Sequence, residues 1–125
     1  MTDILYKEEV YEIVGICMGV YNELGYGFLE VVNKDAMEIE FTENEMAHQR
    51  EKEFPVIYKR RQLKRTFFAD FEVFDKIIVE VKSNAEGISE ETIAQTLNYL
   101  KASGYRLGLI VNFGKKKLEY KRLIF

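Results

Sequence analysis

In this 125-residue chain the residue types and spacing best suited to chemistry are those of Asp70 and the tripeptide Glu80-Val81-Lys82. They fall on two runs rich in β-branched and aromatic residues, 67–73 and 76–82, with Phe74-Asp75 between them as a turn. That pattern reads as a β-hairpin. A loop of Phe74-Asp75-Lys76 sets Val73 against Ile77 and Asp70 against Glu80. Side chains alternate along a strand, so Asp70, Glu80 and Lys82 are expected on one face. Directly opposed residues have Cβ atoms roughly 5 Å apart. Two carboxylates about 4 Å apart repel by roughly 4 kcal/mol at an effective dielectric of about 20. A fold tolerates such a pair with a cation, a shared proton or a compensating lysine. Lys82 is one such charge and a divalent metal another. The competing reading is a solvated hairpin face carrying Asp70, Glu72, Glu80 and Lys82, because Glu-x-Lys also occurs at Glu119-Tyr120-Lys121, read here as an edge strand.

Composition narrows the metal. Cys17 is the only cysteine and His48 the only histidine. A zinc site of Cys/His type cannot be assembled from them, so a metal here should be a hard cation on oxygen ligands. A lone cysteine also excludes an intrachain disulfide; a reducing, cytoplasmic setting is the expectation. No apolar run approaches the ~18 residues of a membrane span, and the acidic N-terminus lacks a signal-peptide pattern. The net charge of −3 hides an asymmetry: residues 1–54 carry 4 basic and 13 acidic side chains, residues 55–125 carry 14 and 8. The basic half includes Lys59-Arg60-Arg61, Lys64-Arg65, Lys115-Lys116-Lys117 and Lys121-Arg122. Basic clusters near an acidic metal site suit a phosphodiester substrate, though soluble hairpin turns use the same residues.

The elements that must position these groups follow from periodicity. A helix is predicted from Ile4 to Leu24, capped by Thr2 or Asp3 and stopped by Gly25, with Val10, Val14, Cys17, Met18, Tyr21 and Leu24 on its apolar face. A second runs from Leu29 to Asn44, its faces marked by Leu29, Val32, Ala36, Ile39 and Glu40 or Phe41. A strand from Glu53 to Tyr58 is expected at an edge because of Pro55, with a turn at Arg60-Arg61-Gln62. After the two strands of the candidate hairpin, Ser89 opens a third helix ending near Ser103-Gly104, with Ile93, Leu97 and Leu100 buried. Residues 107–113 read as an interior strand and 118–125 as a last one. The order is ααβββαββ, one α/β domain over residues 1–125 with a mixed sheet flanked by helices.

An acid on one strand, Glu-x-Lys on the next, then a helix and a strand resembles the PD-(D/E)XK nuclease superfamily. Residues 21–30 (Tyr-Asn-Glu-Leu-Gly-Tyr-Gly-Phe-Leu-Glu), Phe68-Ala69-Asp70, Glu80-Val81-Lys82, Gln95-Thr96-Leu97-Asn98-Tyr99-Leu100 and Gly108-Leu109-Ile110-Val111-Asn112-Phe113 resemble, in order, the GxxExxY family of small PD-(D/E)XK-like proteins. The resemblance implies a restriction-endonuclease-like fold and a Mg²⁺ (or Mn²⁺) site. It would make Asp70 and Glu80 metal ligands, with the Val81 carbonyl as a third donor. Lys82 would orient or deprotonate the attacking water or stabilise phosphorane charge, and Glu30 would add a helix-borne carboxylate. Gln95 and Tyr99, one helical turn apart, would line the site; Lys59, Arg60 and Arg61 would meet substrate. Asn33 stands where the family's tyrosine is expected. The implied function is Mg²⁺-dependent hydrolysis of nucleic acid. The alternative is a non-catalytic nucleic-acid- or protein-binding module acting with a protein partner.

Overall fold

Apolar residues at helical spacing build α1 (Lys7–Leu24) and α2 (Glu30–Glu43), which lead into β1 (His48–Tyr58), β2 (Arg61–Val73), β3 (Ile77–Lys82), α3 (Glu90–Ser103), β4 (Leu107–Asn112) and β5 (Glu119–Ile124). The computed structural model, which describes residues 4–125, therefore has the expected order ααβββαββ. The strands form one sheet in chain order, antiparallel except for the β3–β4 pair. Parallel neighbours cannot share a tight turn, and α3 is the crossover that joins them.

The sheet separates two apolar layers. On one face Val10, Ile13, Cys17 and Val20 of α1 and Met37 and Phe41 of α2 pack against Phe71, Val79, Val81 and Leu109. On the other, Tyr99 and Leu100 of α3 pack against Phe54, Ala69, Ile78 and Ile110. Such two-sided cover explains why β4 is buried at every position and β3 at every position but Lys82. Gly108 lets α3 sit close: a Cβ there would lie 2.9 Å from Cγ2 of Thr96. β1 and β5 are the edges, as Pro55 and the polar residues 119–122 suggest.

Several boundaries and faces differ from those expected. β1 begins at His48 rather than Glu53, and β2 at Arg61. Both added stretches are half-buried or exposed and carry no apolar alternation; cross-strand pairing holds them, with ion pairs from Arg50 and Glu51 to α2 in the β1 stretch. The turn between them is Lys59-Arg60, both at positive φ. α1 starts at Lys7 behind Tyr6, and the expected caps Thr2 and Asp3 lie outside the described residues. α1 is apolar on most sides; Ile13 and Val20 are buried while Met18 is exposed. α2 buries Asn33, Met37 and Phe41 and exposes Leu29 and Ile39. In α3 the fully sheltered positions include Thr92, Thr96 and Tyr99, with Ile93 and Leu97 partly buried beside them. Ser89 caps α3 as expected, its Oγ accepting from the Thr92 N–H at 3.1 Å.

Candidate functional site

The 73–77 turn sets the register. Phe74 and Asp75 both adopt positive φ, and Val73 pairs with Ile77, Glu72 with Ile78 and Phe71 with Val79. One step further on, the backbone ladder gives way to carboxylates. The Asp70 N–H donates to Oε2 of Glu80 at 2.8 Å, and the Val81 N–H donates to Oδ2 of Asp70 at 2.7 Å. Each acid thus takes the place of a strand-to-strand acceptor, and β2 and β3 part at this point. The alternation of β2 slips here as well: Ala69 packs with the α3-side layer and Phe71 with the α1–α2 side, although two residues apart should share a face. Across the sheet, Glu51 lies between the residues that pair with Phe71 and Ala69 and has φ 54°. The register itself is unbroken, since one residue is skipped on each strand, Glu51 and Asp70; the irregularity is one of backbone angle and side-chain direction.

Lys34, one turn into α2 from Glu30, supplies the compensating charge. Its Nζ donates to Oδ1 of Asp70 at 2.9 Å and also to Oε1 of Glu51. Burial opposes the Lys34 charge, but hydrogen bonds to Glu51 and Asp70 outweigh it and move its pKa up. Lys82 is half-buried and forms no ion pair among the described residues, yet its charge still favours ionised Glu80. Glu80 itself is only 2% exposed. Burial first, and the Asp70 charge second, push its pKa up to about 8. Glu80 is thereby held toward its protonated form, and the Lys34 ammonium faces Asp70. Tyr99 is buried beside the pair; burial and then the charges of Glu80, Asp70 and Glu51 raise its hydroxyl to about 12. Its ring lies 5.1 Å from Phe67.

The other candidates lie further out. Glu30 opens α2 in a hollow with Phe28, Ser83 and Gly114, where the Ser83 hydroxyl donates to the Phe28 carbonyl at 2.6 Å. Among the described residues no hydrogen bond or ion pair joins Glu30 to the acidic pair. Gln95 is exposed one turn before Tyr99. Lys59, Arg60 and Arg61 are at the far tip of the β1–β2 hairpin; nine residues of strand at about 3.3 Å each put Arg61 on the order of 30 Å from Asp70. Glu72 does not share an open face with Asp70 and Glu80: it is buried and accepts a hydrogen bond from the Tyr105 hydroxyl.

Three residues missed by sequence reasoning matter locally. Lys34 and Glu51 were hidden because their link to Asp70 is tertiary. Asn112 had a signal, as the one polar side chain in the apolar run 107–113. It is fully buried, its Oδ1 accepting from the N–H groups of Asn84 and Gly114 and its Nδ2 donating to the Asn84 carbonyl and to Glu119. That clamp fixes the loop following Lys82. Asn33 is also fully buried, with its Oδ1 lacking a partner.

Paired strand carboxylates followed by Glu-x-Lys, on a mixed sheet with a crossover helix, define a nuclease-like class. A family model for the PD-(D/E)XK nuclease superfamily matches residues 7–123, and the chain belongs to that superfamily. Among solved structures, the crystal structure of SSO0001 is similar in fold, with a TM-score of 0.59 and 17% sequence identity over 95% of this chain. The chain spans 60% of the length of that structure. No curated protein sequence matches it. No helix among the described residues is long and apolar enough to cross a membrane.

The donor chemistry fits a hard divalent ion: Asp70 and Glu80 sit on adjacent strands, each bonded to the other strand's backbone, and carboxylate oxygens suit Mg²⁺, which keeps several waters and needs few protein ligands; Lys34 and the Val81 N–H now hold the Asp70 oxygens. Among the described residues no group of three acidic, histidine or cysteine side chains gathers as a larger ligand set.

Proposed function

We propose that this protein hydrolyses phosphodiester bonds of nucleic acid, using a divalent ion held by Asp70, Glu80 and the Val81 carbonyl. The observation that carries the reading is the reciprocal pairing of Asp70 with the β3 backbone and Glu80 with the β2 backbone, at the strand fork of a PD-(D/E)XK fold. When bound, Mg²⁺ or Mn²⁺ would polarise a phosphoryl oxygen and lower the pKa of a coordinated water. The protein's part is electrostatic. Lys82, with no acid paired to it among the described residues, would stabilise charge growing on the phosphate. Lys34 holds Asp70 in place through Oδ1, and Tyr99 is buried on the α3 side, near enough for the charges of the pair to raise its hydroxyl. Glu30, in the hollow beside Ser83, and Gln95, exposed on α3, would serve as outlying groups for substrate or water. Within the superfamily, the segments quoted above favour the GxxExxY group, with Asn33 as the departure.

Calorimetric titration with Mg²⁺ and Mn²⁺, alongside cleavage of labelled DNA and RNA, tests the reading. Wild-type protein is expected to bind metal at millimolar concentrations and cut; Asp70→Asn and Glu80→Gln are expected to lose both. Metal binding that survives in both variants, or no cleavage of any nucleic acid, sinks the proposal. A binding-only module is favoured by one observation, the Lys34 ammonium already set against Asp70; nucleic-acid binding unchanged by Glu80→Gln, with nothing cut, would select it.

A further inference from the structure

The outer half of the β1–β2 hairpin has no role in the carboxylate site. β3 pairs with β2 only at Phe71, Glu72 and Val73, whereas β1 and β2 continue to pair as far as Tyr58 and Arg61. Beyond the fork the hairpin is a two-stranded ribbon, and residues 61–65 are exposed on both of its faces. Residues 56–66 contain five cations, Lys59, Arg60, Arg61, Lys64 and Arg65, and no acidic residue. None of the five forms an ion pair among the described residues. In a chain of net charge −3 this is a concentrated, uncompensated positive field.

The turn geometry is a second, independent observation. Lys59 and Arg60 adopt φ 47° and 67°. A two-residue hairpin turn with positive φ at both positions is best served by Asn-Gly. The tip therefore carries two long cations where the backbone favours other residues. Solubility of an exposed turn and the contact of Lys59 Nζ with the Tyr58 ring, 5.5 Å away, account for part of this charge; five cations with no acid among them are what an anionic partner would select.

We infer that this ribbon is an arm that lies in a groove of double-stranded nucleic acid and grips its phosphates about one helical turn from Asp70 and Glu80. The inference rests on nucleic acid being the substrate of that site. Strands about 4.8 Å apart make a ribbon narrow enough for the roughly 12 Å major groove of a duplex. The reach from Arg61 to Asp70, on the order of 30 Å, corresponds to about nine base pairs at 3.4 Å each. Between the arm's root and α3, a hollow lined by Ile57, Phe67, Asn98 and Lys101 continues the path with one more cation.

Binding is measured in EDTA, so that it does not depend on metal or on cleavage. The probe is a labelled duplex of about three helical turns, followed across a salt series. Lys59→Asn/Arg60→Gly/Arg61→Gln removes three charges while giving the turn its preferred residues, so the fold is retained. This variant is expected to bind about tenfold or more weakly, with the slope of log K against log salt reduced by up to about 2.7. The control Lys116→Gln/Lys117→Gln, which lowers charge elsewhere, is expected to behave as wild type, and a duplex of about half a turn is expected to lose the difference between arm variant and wild type. The inference is overturned if wild type does not bind the duplex or prefers single strands, if the arm variant keeps its affinity and slope, or if the control loses as much. Arm-dependent capture of anionic vesicles in preference to duplex would also overturn it, assigning the arm to a lipid surface. Arm-dependent duplex binding without cleavage in Mg²⁺ removes the hydrolytic reading and leaves the arm in place.

Discussion

Glu80 is an acid whose ionisation is opposed twice, by burial and by the charge of Asp70. Its pKa of about 8 lies above the ordinary value of 4.5. Between those values the folded protein keeps a proton that the unfolded chain has lost. The contribution of Glu80 to stability is therefore complete below about 4.5 and falls as pH rises, until it is gone above about 8. Metal-free protein is expected to melt at progressively lower temperature from pH 5 to pH 8, by several degrees in total. Glu80→Gln keeps an acceptor for the Asp70 N–H and is expected to flatten that slope. A variant melting profile parallel to the wild type would show that Glu80 is ionised throughout. Lys34 is the complementary case, since its removal leaves Asp70 without its cation. Lys34→Met is expected to cost roughly 2–3 kcal/mol in urea denaturation at neutral pH. A cost near zero would mean that water serves Asp70 as well as the ammonium does. The acidic pair was legible because both members lie on one hairpin, where turn length dictates register. Lys34 and Glu51 were not, because helix-to-sheet packing leaves no local trace in residue spacing.

At the scale of elements, the same distinction between local and tertiary signals decides what could be read. α3 carries its own start and stop signals, Ser89 and Gly104, and β4 is a run of apolar residues; both fall where expected. The outer parts of β1 and β2 have no buried face, so neither alternation nor apolar runs mark them. Which stripe of α1 and α2 turns inward was ambiguous for the opposite reason, because apolar residues occur on several sides of each helix. The loop between β3 and α3 depends on one side chain. Asn112 partners both backbone groups of Asn84, and at Gly114 a Cβ would lie 2.4 Å from the Asn84 nitrogen. Asn112→Val strips these partners and is expected to destabilise the protein by roughly 2–4 kcal/mol, as buried backbone groups lose their bonds. Because the loop begins directly after Lys82, the variant is also expected to bind Mg²⁺ more weakly than its loss of stability alone would produce. Unchanged metal affinity in the fraction that remains folded would separate the clamp from the site.

For the molecule as a whole, the two apolar layers settle the fold without help from the acidic pair, which lies where β2 and β3 diverge. The site is thus an electrostatic cost set inside an otherwise self-sufficient structure, a common feature of functional centres. That arrangement makes stability a readout of ligand binding. An ion that binds only the folded state with a millimolar Kd adds RT ln(1 + [L]/Kd), about 1.4 kcal/mol at a tenfold excess over Kd. For a chain of this length the gain corresponds to a rise of about 5 °C in Tm. Wild-type protein is expected to show that rise with Mg²⁺ and to lose it when EDTA is added. The rise should grow with pH toward 8, because Glu80 must release its proton before it can take an ion. Asp70→Asn and Glu80→Gln are expected to melt at a temperature independent of Mg²⁺, while Na⁺ at matched ionic strength separates site binding from screening. A Mg²⁺-dependent rise equal in wild type and both variants would place the ion elsewhere on the acidic surface of residues 1–54 and leave the strand fork without a metal role.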